Sequence, residues 1–303
     1  MSMRLEMLQV ARIAPKVLGD SGVLVRNFLR TRQHPEGGFM DRSGEPDLYY
    51  SVFGLDSLAA LGGSIDAPEG LNLAAFLSYI DRAASLAETL DFIHTCCLIR
   101  FLSNQAHSQS VMKRDSILTA LVDRMERYRS KDGGFHVHPG SDSGSVYGSF
   151  MALGAYQDLR TVPPRVEEMT KSILNLQVRE GVWTNERMIR EGAVPATAAA
   201  VTFLRNVGLS APTPTCDWLL KQLHPQGGFV AVPGSPVPDL LSTATAIHSL
   251  SGLGVDLAPI RESCLDFIDT LWTNEGSFHG HWEEDTLDVE YTFYGLLALG
   301  HLA

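Results

Sequence analysis

The chain has 303 residues, 24 Lys and Arg against 35 Asp and Glu, and a formal net charge of −11, a balance too acidic for a polyanion binder, so nucleic acid is not an expected partner. With 45% hydrophobic and 19% charged residues, the composition is that of a globular protein able to bury a large core. No run approaches the ~20 apolar residues that cross a bilayer, residues 1–30 carry charges throughout, and Cys96, Cys97, Cys216 and Cys264 form no CxxC pair. The expectations are therefore no membrane span, a cytoplasmic location and reduced thiols.

Short glycine-aromatic elements recur along the chain: Gly37-Gly38-Phe39, Gly133-Gly134-Phe135, Gly181-Val182-Trp183, Gly227-Gly228-Phe229 and Gly276-Ser277-Phe278. The last four aromatics stand 48, 46 and 49 residues apart, and the 96 residues between Phe39 and Phe135 hold two such periods, one degenerate near residue 87. Six units fill residues 1–303, read as one domain. Each pairs an amphipathic segment, such as 116–131 or 166–180, with a second segment apolar on nearly every face. The second segments are 47–62, 91–102, 146–156, 194–208, 239–254 and 288–302. A helix apolar all round must be buried all round, and one with a polar face at 3.6-residue spacing lies outside. The pattern predicts an all-α fold, an α/α toroid of six helical hairpins, its glycine pairs ending helices in left-handed conformation. The last segment is apolar almost to the chain end and needs a neighbour, which favours a closed ring over an open solenoid.

The stretches GGFMDRSGEPDLYYSVFGLDSLAALG (37–62) and GGFVAVPGSPVPDLLSTATAIHSLSGLG (227–254) resemble the repeats of protein prenyltransferase β-subunits and, more distantly, of squalene and terpene cyclases. The resemblance spans roughly the whole chain. It implies an α6/α6 barrel whose apolar, aromatic-lined cavity takes an isoprenoid, with polar loops at its mouth. In the prenyltransferases the fifth unit gives an Asp and a Cys to zinc and the sixth a His. Here those positions are Asp239, Leu241 and Tyr291, and leucine has no lone pair to give. The basic pair that holds diphosphate in that family falls on uncharged residues within 230–235. The usual Asp-Cys-His zinc site is thus not expected, and no metal site or cofactor is assigned. Against the cyclases, Asp288-Val289-Glu290-Tyr291-Thr292 resembles a variant of the D-x-D-D motif whose middle acid protonates an alkene, which casts Glu290 as the acid and Asp288 and Tyr291 as its companions.

Three functions stay open: a prenyltransferase-like protein that binds an isoprenoid or similar apolar molecule, a terpene cyclase using Glu290 or Asp288 as acid, and a non-catalytic lipid-binding or scaffolding subunit. A helical partner subunit or a homodimer is compatible with each. The candidate catalytic residues are Asp288, Glu290 and Tyr291, and the candidate substrate-binding residues are Arg42, Asp47, Tyr49, Tyr50, Tyr147, Asp239, Trp282 and Tyr294. Asp47, Asp239 and Asp288 also suit helix N-caps, a role worth roughly 1 kcal/mol each. Arg42, Arg187 and Arg190 are the cations that a diphosphate would meet at the mouth. His136-Val137-His138 and the loop His279–Asp285 are rich in possible ligands, but without a converging third ligand a solvated, charged rim is the plainer reading. His94 and Cys97 share a helix face, and His248 is expected to be satisfied within an apolar helix.

Overall fold

The computed structural model describes residues 2–64, 67–104 and 111–303. Two N-terminal helices, α1 (Met3–Ala11) and the short α2 (Pro15–Leu18), precede six hairpins. These pair α3 (Gly22–Thr31) with α4 (Leu48–Ala60), α5 (Leu73–Ser85) with α6 (Phe92–Asn104), and α7 (Val111–Glu126) with α8 (Val146–Asp158). The remaining pairs are α9 (Val166–Leu174) with α10 (Val194–Asn206), α11 (Pro214–Leu220) with α12 (Leu240–Gly252), and α13 (Arg261–Leu271) with α14 (Val289–Leu302). The even-numbered helices from α4 to α14 are the apolar segments, and each packs on the next, α14 returning to α4. The ring is closed and toroidal, because no inner helix can leave either flank in water.

The hairpin turns explain the glycine-aromatic repeat. The aromatic is buried and pairs through its backbone with the residue six positions earlier, as in Gln33 with Phe39, Arg129 with Phe135, Leu223 with Phe229 and Trp272 with Phe278. β3 (Gln177–Arg179) with β4 (Val182–Trp183) is the fullest version of this turn, and β1 (Phe39–Met40) with β2 (Pro46–Asp47) pairs the aromatic onward with the cap of the inner helix, as Phe135 does with Ser145 and Phe229 with Asp239. A hydroxyl in the first turn of the inner helix then accepts the aromatic's N–H: Ser51 for Phe39 at 2.8 Å, Ser149 for Phe135 at 3.1 Å, Thr197 for Trp183 at 3.1 Å and Thr243 for Phe229 at 2.8 Å. This satisfies a buried donor that would otherwise be costly.

The glycines do not end the outer helices, as the sequence suggests; they lie several residues beyond. α3 ends at Thr31, whereas Gly37 follows at φ +96° with its missing Cβ position 2.0 Å from the Ala75 carbonyl oxygen of α5. Gly227 stands likewise against Ser263 of α13, and Gly276, at φ +90°, against Leu24 of α3. Each turn is thus pressed on the outer helix of the following unit, and only a residue without a side chain fits that approach. The contact of Gly276 with α3 closes the outer layer of the ring.

All six inner helices start at one end of the ring. There the first N–H of α8, α10 and α12 donates to the next unit's loop, at Asn185 (3.0 Å), Ala231 (2.8 Å) and Gly280 (2.8 Å). At the other end α1 lies across the helix C-termini. Arg12 donates to the Ala59 carbonyl at 3.1 Å, the Met3 N–H donates to Gln157 at 2.9 Å, and Gly300 lets the α1 backbone approach at Val10. No helix among the described residues is long and apolar enough to cross a membrane.

Candidate active site

The aspartates that open the inner helices divide their oxygens between two tasks. Oδ1 caps the helix, accepting from Tyr50 N–H (2.8 Å) at Asp47, Ser242 N–H (2.7 Å) at Asp239 and Tyr291 N–H (2.8 Å) at Asp288. At two of them Oδ2 faces a neighbouring unit. Asp47 meets His94 Nε2 at 2.8 Å, and Asp288 accepts from Arg42 Nε at 2.9 Å. The Asp47 hydrogen bond, helped by Asp91, raises the His94 pKa to about 9. Arg42 also meets Glu284 at 3.3 Å and lies 5.2 Å above the Tyr291 ring. Burial opposes its charge, but its hydrogen bonds to Tyr291 and Asp288 leave its pKa above the ordinary arginine value. Because Arg42 belongs to the first unit and Asp288 to the sixth, this pair fastens the mouth of the ring where its ends meet.

Glu290, in the first turn of α14, occupies the position that the pattern marks as an acid. Its carboxylate accepts the Tyr49 hydroxyl at 2.8 Å. Burial raises its pKa from 4.5 to about 7, the nearby Asp288 charge adds to the rise, and Tyr49 and Arg42 oppose it. Tyr147 interacts with the phenol of Tyr49, and Tyr294 lies close enough to feel the Glu290 charge. One carboxyl surrounded by buried phenols therefore carries its proton close to neutrality.

Beneath these phenols the ring is hollow. A cavity of about 150 Å3 is walled by aromatic and aliphatic side chains, among them Tyr49, Phe53, Tyr147, Phe150, Phe293 and Tyr294. Phe53 meets the edge of Tyr49 at 4.9 Å and tilts toward Phe293 and Tyr294 at 5.8 and 5.6 Å. The far end is closed by Met3, Arg4 and Met7 of α1, with Asp56, Arg100 and Asp158 from the inner helices. A second, polar hollow of about 260 Å3 opens at the mouth between Arg32, Arg42, Ser43, Thr286 and Asp288.

Of the residues expected to act, Asp288, Glu290, Tyr291, Arg42, Tyr49 and Tyr50 gather at the mouth, while Tyr49, Tyr147 and Tyr294 line the cavity. The other candidates stand apart from this group. Trp282 is 40% exposed on the outer layer, against Phe267 and His224, with its indole N–H on Thr270 at 2.8 Å. Arg187 and Arg190 are exposed on the fourth-unit loop. Asp239 is half-buried as the cap of α12, with its pKa raised by desolvation, and is not among the residues that line the cavity. His248 finds another imidazole rather than a carbonyl or hydroxyl: its Nδ1 is 2.9 Å from His301 Nε2. Among the described residues no three His, Cys, Asp or Glu side chains converge as metal ligands. What sequence reasoning missed is the far end of the cavity. The signal was present, since Asp56 and Arg100 are lone charges inside otherwise apolar segments, and residues 3–11 belong to no repeat.

The model of the prenyltransferase alpha-alpha toroid domain family matches residues 5–88, 74–213 and 197–302. Among curated proteins no sequence matches. Among solved structures the chain resembles the type II terpene cyclase MstE of Scytonema without ligand, with 15% identity and a TM-score of 0.60 over 94% of this chain and 97% of that one. A variant of that cyclase in complex with its substrate, geranylgeranyl dihydroxybenzoate, aligns at 14% identity and a TM-score of 0.61, over 95% and 97%. A protein from Actinoplanes aligns at 13% identity and 0.56, over 93% and 98%. At such identities the likeness speaks for the fold.

Proposed function

The chain belongs to the prenyltransferase alpha-alpha toroid family, and from that premise we propose that it holds a polyprenyl chain in the hollow of its ring and cyclises it by proton transfer from Glu290. The observation that carries this reading is the hydrogen bond that joins the Glu290 carboxyl to Tyr49, a phenol in the wall of the aromatic cavity. A carboxyl with a pKa of about 7 is protonated where a general acid must be. The structural neighbour whose substrate is a geranylgeranyl aromatic acid supports the same class of chemistry.

In the proposed step the Glu290 carboxyl gives its proton to the terminal double bond of the substrate. One carbon gains a C–H bond, its neighbour becomes a tertiary cation, and the carboxylate keeps the electron pair of the broken O–H bond. The next double bond closes on the cation, and loss of a proton from the final cation ends the sequence, so substrate and product are isomers. The faces of Phe53, Phe293 and Tyr294 stabilise the migrating positive charge, and the apolar wall keeps water from trapping it. Arg42 holds Asp288 in place beside the acid. Asp239, Leu241 and Tyr291 supply no zinc-thiolate centre, so the residues favour cyclisation over prenyl transfer to a thiol.

The cavity of about 150 Å3 is comparable to an engineered void that binds benzene, and a whole polyprenyl chain needs more room. Met3, Met7 and Met151 border it, and these unbranched side chains can turn aside. The test is incubation with prenyl chains of graded length in deuterium oxide. A cyclic product carrying one new deuterium on the initiating carbon supports the reading, and Glu290→Gln lowers its rate on the order of a hundred- to ten-thousand-fold. A cyclic product without deuterium, or full activity in Glu290→Gln, contradicts it.

A further inference from the structure

Glycines inside the inner helices are Gly54 of α4, Gly148 and Gly154 of α8, Gly252 of α12, and Gly295 and Gly300 of α14. At all but Gly154 a neighbour crowds out any side chain. The position a Cβ would take lies 2.3 Å from the Phe39 ring at Gly54, 2.4 Å from the Phe135 carbonyl oxygen at Gly148 and 2.0 Å from the Arg205 guanidinium at Gly252. At Gly295 it lies 2.5 Å from the Phe278 ring, and at Gly300 2.1 Å from the Val10 carbonyl oxygen. Gly154 has no positive φ, and among the described residues the only atom beyond its own stretch of helix within 4 Å of its Cβ position is the Met3 methyl carbon, at 3.8 Å. That is an ordinary carbon-carbon contact. Glycine inside a helix weakens it relative to alanine, so neither packing nor backbone geometry explains the missing side chain. The cavity does, because Gly154 and Met3 both line it.

We propose that Gly154 is a specificity-determining residue, whose bare backbone, facing Met3, keeps open the far end of the cavity and so sets the longest prenyl chain that the ring admits. On α8 the cavity face runs Tyr147, Phe150, Met151, Gly154, a helical stripe that ends in the smallest residue. Gly154 lies seven residues beyond Tyr147, about 10 Å along the helix axis at the usual rise. The opposing wall is fixed at its backbone: the Met3 N–H donates to Gln157 at 2.9 Å and Arg4 pairs with Asp158, both on α8 one turn past Gly154. With α1 held there, a side chain added at 154 can only take space from the ligand or push the Met3 side chain into it. The inference rests on the ligand-holding ring of the proposed function, and on cyclisation only for which end of the chain arrives at Gly154.

The experiment uses the full chain carrying Glu290→Gln, so that ligands bind without turnover, and titrates geraniol, farnesol and geranylgeraniol into this parent and into versions that add Gly154→Ala or Gly154→Leu. Gly154→Leu is expected to weaken the longest alcohol that the parent binds by roughly ten- to a hundredfold, the effect of overfilling a packed space, and to leave geraniol within about twofold of the parent. Gly154→Ala is expected to shift the preference in the same direction by less. Without ligand it should melt about 1–2 °C above the parent, because alanine suits an uncrowded helical position better than glycine. This second variant carries the test should the leucine prevent folding. A melting temperature lowered by Gly154→Ala shows that packing needs the glycine and overturns the proposal. An unchanged length preference in both variants, or equal weakening of all three alcohols, overturns it as well. Binding of no alcohol to the parent overturns both this inference and the ligand-holding ring. The expected length pattern in a protein whose Glu290 form yields no cyclic product overturns cyclisation alone.

Discussion

Glu290 holds two properties that are separable by experiment. As a group whose folded-state pKa lies above its ordinary value, at about 7 against 4.5, it binds more protons in the folded chain than in the unfolded one between those limits. Stability is therefore lost as pH rises from about 4.5 to about 7 and is level on either side. Glu290→Gln removes that loss. Its stability should equal the parent's near pH 4 and exceed it above pH 7, by a difference on the order of 3 kcal/mol at ~1.4 kcal/mol per pKa unit. Thermal melts across pH check this, and a constant offset between the two proteins contradicts it. Tyr49→Phe removes the hydroxyl that holds the Glu290 pKa down. The alkaline limb of the variant's pH-rate profile, where activity falls as Glu290 loses its proton, should move upward by up to about one unit, and an unmoved limb would detach Tyr49 from the acid.

Elements are fastened to one another by similar economy, and His94 ties α6 to α4. Its folded-state pKa, raised to about 9 by Asp47, means that its stabilisation is complete below about pH 6.5 and is lost as pH rises through about 9. His94→Ala should therefore be less stable than the parent at about pH 6 and close to it at about pH 10, read by denaturant melts. The glycine turns offer a sharper contrast. Gly276→Ala combines φ +90° with a Cβ 2.2 Å from the Leu24 carbonyl oxygen, and should cost about 3 kcal/mol or more. Gly234→Ala, at φ +79° with open space around it, should cost only about 1 kcal/mol. Equal losses would show that the outer layer does not close through Gly276. The inner helices were legible in the sequence because burial on every face leaves an unmistakable composition, and their predicted bounds lie within a few residues of those found. The purpose of the glycines was not, because their constraint is the backbone of another unit rather than their own helix end. Nor was the hydroxyl beneath each aromatic, whose bond spans 12 to 14 residues.

At the scale of the whole molecule, closure decides what the chain can do. The sixth unit meets the first at three places: α14 with α4, Gly276 with α3, and Asp288 with Arg42. A chain so closed is proposed to unfold as one domain, with a single thermal transition followed alike by far- and near-ultraviolet circular dichroism. Two separated transitions would divide it. Closure also makes the central space, and sequence could announce a hollow lined by Tyr49, Tyr147 and Tyr294 because six helices in a ring cannot fill their own axis. It could not announce the floor, since α1 lies outside the repeat and only the folded ring brings Met3, Arg4 and Met7 under the cavity. The most direct measurement is a crystal structure of Glu290→Gln with an uncyclised polyprenyl ligand. The account predicts a chain threaded along the ring axis, with its terminal double bond beside residue 290 and its other end at α1. A ligand lying outside the ring, or one whose terminal double bond points to α1, would contradict it.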